Sequence, residues 1–149
     1  MLDVVAREMT PQLLRIAAKA RSSLTSEQKI DLDFVKNLME SWDFNMDKDS
    51  VPASVYMHAQ RIMYSSLFAN FSEDVLERNK FTGNYAFTDF YRRLMDDIEQ
   101  NGSESRFEKF CAGAYPSETY SGSHCAYIVA RSFTESRQFL LNNVGPNVE

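Results

Sequence analysis

Residues 38–56, LMESWDFNMDKDSVPASVY, join two predicted helices through one short polar turn. An apolar helical run ends at Trp42, and the polar residues after it break the helical pattern. Ser50 then predicts the cap of the next helix, because its hydroxyl can accept from the free N–H groups of the first turn. Pro52 falls in that first turn, where a missing N–H costs nothing. The stretch therefore predicts a pair of helices joined by a turn.

Upstream of this stretch the apolar residues recur with helical spacing. Thr10-Pro11 predicts one helix start, with residues 3–9 as a separate preceding turn or helix. Ser26 predicts the cap of the following helix. We predict that the buried stripe of that helix consists of Ile30, Phe34, Leu38 and Trp42, widened by Val35 and Met39.

Downstream, the helix that begins near Ser50 has so many apolar positions that we predict it to be the central helix. A short helix follows at 72–78, then a longer one that stops at Asn101-Gly102. A short helix over 103–112, a loop over 113–122 and a last helix over 123–143, stopped by Gly145-Pro146, complete the chain. The pattern predicts a single domain, residues 1–149, built as an irregular all-α bundle of about six or seven helices.

Composition and charge narrow the classes of partner. The net charge is −5, and the 16 lysines and arginines are scattered along the sequence, which argues against a nucleic-acid-binding surface. No run approaches the ~20 apolar residues that cross a bilayer, so we expect no membrane partner. Nothing at the start of the sequence resembles a signal peptide, and we assign no compartment.

The two cysteines, Cys111 and Cys125, stand 14 positions apart. A structural zinc site needs about four Cys or His ligands at short characteristic spacings. His58 and His124 are the only histidines, and the two cysteines and two histidines do not have such spacings, so no zinc site is predicted. We therefore expect two buried or half-buried free thiols, with one disulfide as the alternative if the chain is exported.

Residues 123–125, Ser-His-Cys, have the residue types of a nucleophilic site. Neighbours on a helix point in different directions, however, so a capped helix start is the better interpretation. Asp43, Asp47 and Asp49 are predicted to form a turn, with weak calcium binding as the alternative.

Three further groups complete the candidates. The carboxylates of Asp96, Asp97 and Glu99 are predicted to lie on a solvated helix face. Trp42 is predicted to be core, because it continues an apolar stripe. Phe81 and Tyr85 flank a predicted turn and are candidates for a docking surface. From the residues alone, no catalytic, cofactor-binding or metal-ligating residue is assigned.

Four pieces of the chain, in order, carry a family resemblance: Leu2-Asp3 with Ala6-Arg7 and Leu13-Leu14, then 38–43, then 49–51 with 53–56, and finally 132–147. Together they resemble the penicillin acylase (penicillin amidase) family of N-terminal nucleophile hydrolases. One departure is Phe44, which stands where the family usually has glycine, and it leaves the conformation of that turn open.

The resemblance implies a hydrolase of linear amide bonds, such as those joining the side chains of penicillins or the acyl groups of acyl-homoserine lactones. In the family a serine exposed by self-cleavage between Gly and Ser is the nucleophile, its own amine is the base, and Asn follows the serine. Here the two Gly-Ser pairs, 102–103 and 122–123, are followed by Glu104 and His124. No catalytic residue therefore carries over.

The resemblance thus implies a helical fragment of the β subunit of an acylase, cut from a larger α+β enzyme and inactive by itself. Its expected partner is the remainder of the acylase, or a second copy bound through an exposed apolar face. The alternative is a stand-alone helical interaction domain without enzymatic activity, with Phe81, Tyr85 and the loop between Tyr115 and Tyr120 as its binding face. A decayed relic of the enzyme is a third possibility.

Overall fold

The computed structural model of the chain describes residues 3–67 and 84–143. Within these ranges there are six α-helices: α1 (Val4–Lys19), α2 (Ser26–Glu40), α3 (Val51–Leu67), α4 (Asn84–Asn101), α5 (Glu108–Cys111) and α6 (His124–Asn143). Single 3₁₀ turns occupy Arg21–Ser23 and Gly102–Glu104. No β-strand is assigned to these ranges, and the predicted all-α class is confirmed.

The central element is the last helix, α6, which packs against α1, α2, α3, α4 and α5. Residues 125–130 are all buried, so this part of the helix is enclosed on every side. Two buried serines further along the helix donate to the carbonyls four residues back, Ser132 to Ile128 at 2.8 Å and Ser136 to Ser132 at 2.7 Å. Their hydroxyls are thus satisfied within the helix itself, which makes them tolerable in the core.

The prediction that α3 is the central helix is wrong. Ser50 caps α3 as predicted, with its Oγ accepting from the Ala53 N–H at 3.2 Å. The helix buries one side, which includes Val55, Ala59 and Met63. Its other side is exposed at Met57. Apolar residues on both sides of a helix do not by themselves place it at the centre, because surfaces of folded proteins also carry apolar side chains.

The first helix begins earlier than the sequence pattern indicates. Asp3 is its cap, with Oδ1 accepting from the Ala6 N–H at 2.8 Å, and α1 continues without interruption through Pro11. The predicted start at Thr10-Pro11 is therefore wrong. Packing of Met9 and Leu13, both buried, holds the helix together across the hydrogen bond that proline cannot make.

The second helix is shifted relative to its predicted cap and stripe. Thr25, one residue before Ser26, forms a capping box with Gln28: their side chains each accept from the other's backbone N–H, at 3.2 and 3.0 Å. The buried apolar residues are Leu32 and, as predicted, Val35 and Met39, whereas Ile30 is 68% exposed. Phe34 and Leu38 are only half-buried, so the predicted stripe lies at the edge of the true interface.

After α4 the predicted helix over 103–112 is wrong in its extent. A 3₁₀ turn at Gly102–Glu104 and the single-turn helix α5 take its place, because Gly102 at φ 54° turns the chain into the left-handed region. The last helix, predicted over 123–143, is confirmed as α6. The predicted helix at 72–78 and the stop signal Gly145-Pro146 lie outside the described residues.

The carboxylates of α4 are solvent-accessible, as predicted, with Asp96 exposed and Asp97 and Glu99 half-buried, but they also bond to neighbouring elements. Asp96 accepts from the Gln12 side chain at 2.7 Å, and Glu99 pairs with Arg15 at 2.8 Å. Asp97 accepts from the Ser105 hydroxyl at 2.5 Å, and this bond, more than any other contact, lowers the pKa of its carboxyl group. The three acidic groups therefore fasten α4 to α1 and to the turn after α4.

In the described part of the chain no helix combines the length and apolar character needed to span a membrane.

Candidate functional site

The N-terminus of α6 is where the Ser-His-Cys triplet lies, and a single carboxylate organises it. Glu108, from α5, accepts from the Ser123 hydroxyl, from the His124 N–H at 2.7 Å and from the Cys125 N–H at 3.1 Å. Ser123 Oγ in turn accepts from the Ala126 N–H at 3.1 Å. The free N–H groups of the helix are thus satisfied by a negative charge at the positive end of its dipole.

The side chains of the triplet have separate partners. Ser123 Oγ bonds to Glu108, while Nδ1 of His124 shares a 2.6 Å hydrogen bond with the Tyr120 hydroxyl. Nucleophilic catalysis would require the hydroxyl or thiol to bond to the imidazole. The predicted capped helix start is confirmed, because Ser123 precedes the first residue of α6 and caps it.

The two cysteines form a disulfide, with 5.1 Å between the Cα atoms of Cys111 and Cys125. The preferred expectation of free thiols is therefore wrong, and the alternative is the observed state. The end of α5 and the start of α6 meet because Glu108 binds the α6 N-terminus, and this brings together two cysteines that a 14-residue spacing alone does not pair. Both residues are buried.

An ion pair anchors the loop that the disulfide closes. Glu118, in the loop, accepts two hydrogen bonds from Arg131 of α6, at 2.9 and 3.1 Å, and a third from the Tyr127 hydroxyl at 2.5 Å. Burial acts to raise the pKa of the Glu118 carboxyl, but the bonds from Arg131 and Tyr127 outweigh it and the pKa is lowered. The carboxylate is therefore held in its charged form.

Tyrosine rings fill the space beside this ion pair. Tyr120 stacks on Tyr127 with 3.9 Å between ring centroids, Tyr115 meets the same ring edge-on at 5.7 Å, and Arg131 lies 5.1 Å from the Tyr115 ring. Burial, followed by the neighbouring Glu118 carboxylate, raises the pKa of Tyr127 to about 12. These rings pack the loop against α6 and leave Tyr115 and Tyr120 half-buried.

The turn between α2 and α3 is also ordered by its own side chains. Trp42 is 6% exposed, as predicted for a core residue, and its Nε1 donates to the Asn45 carbonyl at 3.1 Å. Phe44 has φ 64°, in the left-handed region that favours glycine. Its carbonyl accepts from the Asp3 N–H at 2.9 Å, which ties the turn to the start of α1.

The aspartates of this turn border an open depression of about 500 Å³. Asp43 accepts from the Asn45 backbone N–H at 3.0 Å and from its side chain at 3.3 Å, and these bonds lower the pKa of the Asp43 carboxyl. Turn formation thus accounts for Asp43 as predicted. Across residues 3–67 and 84–143, no three His, Cys, Asp or Glu side chains converge as metal ligands would.

Of the predicted docking residues, Phe81 lies outside the described residues, and so does the side chain of Tyr85.

The structure brings together one group that sequence reasoning missed, which we call the basic–aromatic patch. Three phenyl rings and three cationic side chains from α4, α5 and the turn between them line a depression of about 440 Å³: Phe90, Arg93, Arg106, Phe107, Lys109 and Phe110. The guanidinium of Arg106 lies 4.9 Å from the Phe107 ring centroid, and the ammonium of Lys109 lies 5.1 Å from that of Phe110.

A local signal for this patch exists in the run RFEKF at 106–110, which contains two rings and two positive charges. Its second half comes from Phe90 and Arg93, more than ten positions earlier, and only the turn after α4 brings the two parts together. Scattered charges in a sequence can thus be concentrated in space.

Comparison with known protein families gives a match that covers the whole chain. The family model described as penicillin amidase matches residues 1–149. No curated protein and no solved structure matches the chain.

Proposed function

The chain belongs to the penicillin amidase family, and from this premise we propose that it is a helical part of an acylase that hydrolyses amide bonds and that it lacks the catalytic nucleophile. The observation that carries the proposal is the family match over the full length, combined with the state of the two serines that follow glycine. In this family such a serine would have to become a free amino terminus.

Neither Gly-Ser pair has the context for that reaction. Ser103 lies inside the 3₁₀ turn Gly102–Glu104, which directly follows α4. Ser123 bonds to Glu108 and caps α6, so its hydroxyl already serves the fold. Both serines support a structural role for these positions.

The proposed role of the chain is to pack against the sheet-bearing remainder of the enzyme and to help wall its acyl pocket. Several large apolar side chains are exposed on different helices, including Ile30 at 68%, Met57 at 52% and Phe139 at 45%. Burying such groups against a partner is favourable, at about 25 cal/mol per Å² of apolar surface. They support an expectation that part of this surface is covered in the intact enzyme, or by a second copy of the chain.

The direct test is hydrolysis of chromogenic phenylacetyl and fatty-acyl amides by the purified chain. We expect no turnover above that of the buffer, and the same result for a Ser103→Ala/Ser123→Ala double variant. Turnover by the natural chain that the double variant abolishes would show that the nucleophile is present and would overturn the proposal.

The coding sequence on either side of the chain distinguishes the proposal from its alternative, a stand-alone helical interaction domain. An upstream Gly-Ser-Asn and a downstream segment rich in Trp and His are expected for the acylase part. Stop codons that closely bracket the chain, with a folded monomer as product, would favour the interaction domain instead.

A further inference from the structure

We propose that the basic–aromatic patch binds an acidic segment of a partner polypeptide, one in which aspartates or glutamates flank a large apolar side chain. This binding site is independent of the proposed role in an acylase. Three observations support the proposal. Exposed cations form the rim of the patch, phenyl rings form its floor, and carboxylates beside it already bond to other groups of the chain.

The cations at the rim are exposed, and no carboxylate of the described residues forms an ion pair with them. Arg93 instead has a long contact of 3.4 Å to the backbone carbonyl of Asp89. Three positive side chains around one depression repel each other. An anionic partner would relieve this repulsion.

Two acidic side chains beside the patch residues bond to other groups. Asp97 accepts from the Arg106 N–H at 3.2 Å and from the Ser105 hydroxyl, and Glu108 accepts from the N-terminus of α6. Asp89 and Glu104 are exposed and do not line the depression. Among the residues that the structure describes, the positive charge of the rim is therefore only partly compensated.

The floor sets the second requirement. Phe90 and Phe107 meet edge-to-face with 6.3 Å between centroids, and both are half-buried against the core, so the floor is pre-formed. A purely apolar partner would remove water from three charges without replacing it. A purely acidic partner would offer no apolar group to the rings that line the depression. A segment that offers both carboxylates and one large apolar side chain satisfies the rim and the floor together.

A single-stranded nucleic acid also combines negative charge with rings that stack. The patch has only three cations, and the chain carries a net charge of −5. Nucleic-acid grooves instead track many phosphates with clustered lysines and arginines. The observations therefore favour the acidic polypeptide.

The test is fluorescence anisotropy of a labelled peptide of about ten residues in which Asp and Glu flank one Phe and one Trp. We expect saturable binding that weakens as salt is raised, because the rim charges are exposed. The variant Arg93→Gln/Arg106→Gln/Lys109→Gln should bind about tenfold more weakly. The matched control, Arg7→Gln/Lys36→Gln/Lys48→Gln, removes the same charge from exposed positions elsewhere and should bind like the natural chain.

A second arm tests the floor without changing the charge. Phe110→Ala should weaken binding of this peptide about threefold or more but leave unchanged the weaker binding of a peptide whose Phe and Trp are replaced by Ser. Equal loss of affinity in the two charge variants would overturn the proposal, since binding would then follow net charge. Tighter binding of a labelled oligothymidine than of the acidic peptide would also overturn it, in favour of nucleic acid. Circular dichroism of each variant confirms that it is folded.

Discussion

At the scale of single residues, Phe44 in the turn after α2 adopts an unfavourable backbone conformation while its ring packs against Trp42. Phe44 is in the left-handed region, at the position where the family usually has glycine. A left-handed conformation costs a non-glycine residue roughly 1–2 kcal/mol. The Phe44 ring lies 5.0 Å from that of Trp42, and an aromatic pair of this kind contributes about 0.5–1.5 kcal/mol beyond its burial. The two effects are similar in size.

Replacing Phe44 separates these two effects. Phe44→Ala loses the ring contact and keeps the strained φ, whereas Phe44→Gly loses the contact and relieves the strain. We expect the Gly variant to be the more stable of the two by about 0.5–1 kcal/mol, despite the greater freedom of Gly in the unfolded chain. Urea unfolding of both variants measures the difference, and an Ala variant of equal or higher stability would contradict the left-handed assignment.

The Glu118 carboxylate predicts a specific pH dependence. Because its folded-state pKa lies below the unfolded value of 4.5, it stabilises the fold above that pH. This contribution is lost as the pH falls through the folded-state pKa. Glu118→Gln should lower the free energy of unfolding at pH 7 by about 1–2 kcal/mol, through the weakened bonds to Arg131 and Tyr127.

The matched control for this prediction is Glu40→Gln, which removes an exposed carboxylate at the end of α2. Unfolding measured from pH 7 to pH 3 should show the difference between Glu118→Gln and the natural chain shrinking below pH 4.5, whereas Glu40→Gln should follow the natural chain throughout. A constant difference at every pH would show that the ion pair is not the source of the stability.

At the scale of elements, the junction between α5 and α6 is held in three ways. Glu108 caps α6, the disulfide joins Cys111 to Cys125, and Glu118 ties the intervening loop to Arg131. The disulfide restricts the unfolded chain, and the other two contacts act in the folded state. Loss of one should therefore weaken the junction without opening it.

Removing the disulfide tests this arrangement. By the chain-entropy estimate, a closed loop of about 15 residues contributes about 3 kcal/mol. Cys111→Ala/Cys125→Ala should lower the free energy of unfolding by about that amount, while the far-ultraviolet dichroism of the folded protein stays helical. Addition of a dithiol reductant should lower the melting temperature of the natural chain and leave that of the variant unchanged. Equal melting temperatures for the natural chain and the variant would show that no disulfide forms.

At the scale of the whole molecule, one helix organises the core. In the described part, α1, α2, α3 and α5 each have their most extensive helix contact with α6. These four helices are therefore joined to one another mainly through α6. Phe133 of α6 is fully buried, whereas Phe139, six positions later, is 45% exposed and stacks on His58 with 4.0 Å between centroids. The same residue type on one helix therefore has two very different environments.

This difference predicts unequal effects of the same substitution. Phe133→Ala should destabilise the fold by about 3–5 kcal/mol, because it leaves a cavity in the central helix packing. Phe139→Ala should cost less than about 1 kcal/mol, since the ring is half solvated and its contact with His58 is at the surface. Thermal or urea unfolding of the two variants checks this, and equal losses would place α6 away from the centre.

Much of the local structure could be predicted. The Ser50 cap, the buried Trp42, the start of α6 and the all-α class were correct, because each depends on residues a few positions apart. For the candidate site, the sequence predicted only that Ser123 caps a helix and is not part of a nucleophilic site. Its positive features, the Glu108 cap and the Glu118–Arg131 pair, join residues 13 to 17 positions apart and have no periodic signal.

The sequence by itself determined the class of secondary structure, several helix ends and the family, because capping, helical periodicity and motif order are properties of neighbouring residues. Only the tertiary structure decided which face of α2 is buried, which helix is central and that Cys111 pairs with Cys125. It also gathered the charges of the basic–aromatic patch. These outcomes depend on how separate helices pack against each other, and packing selects among faces that look equally apolar in the sequence.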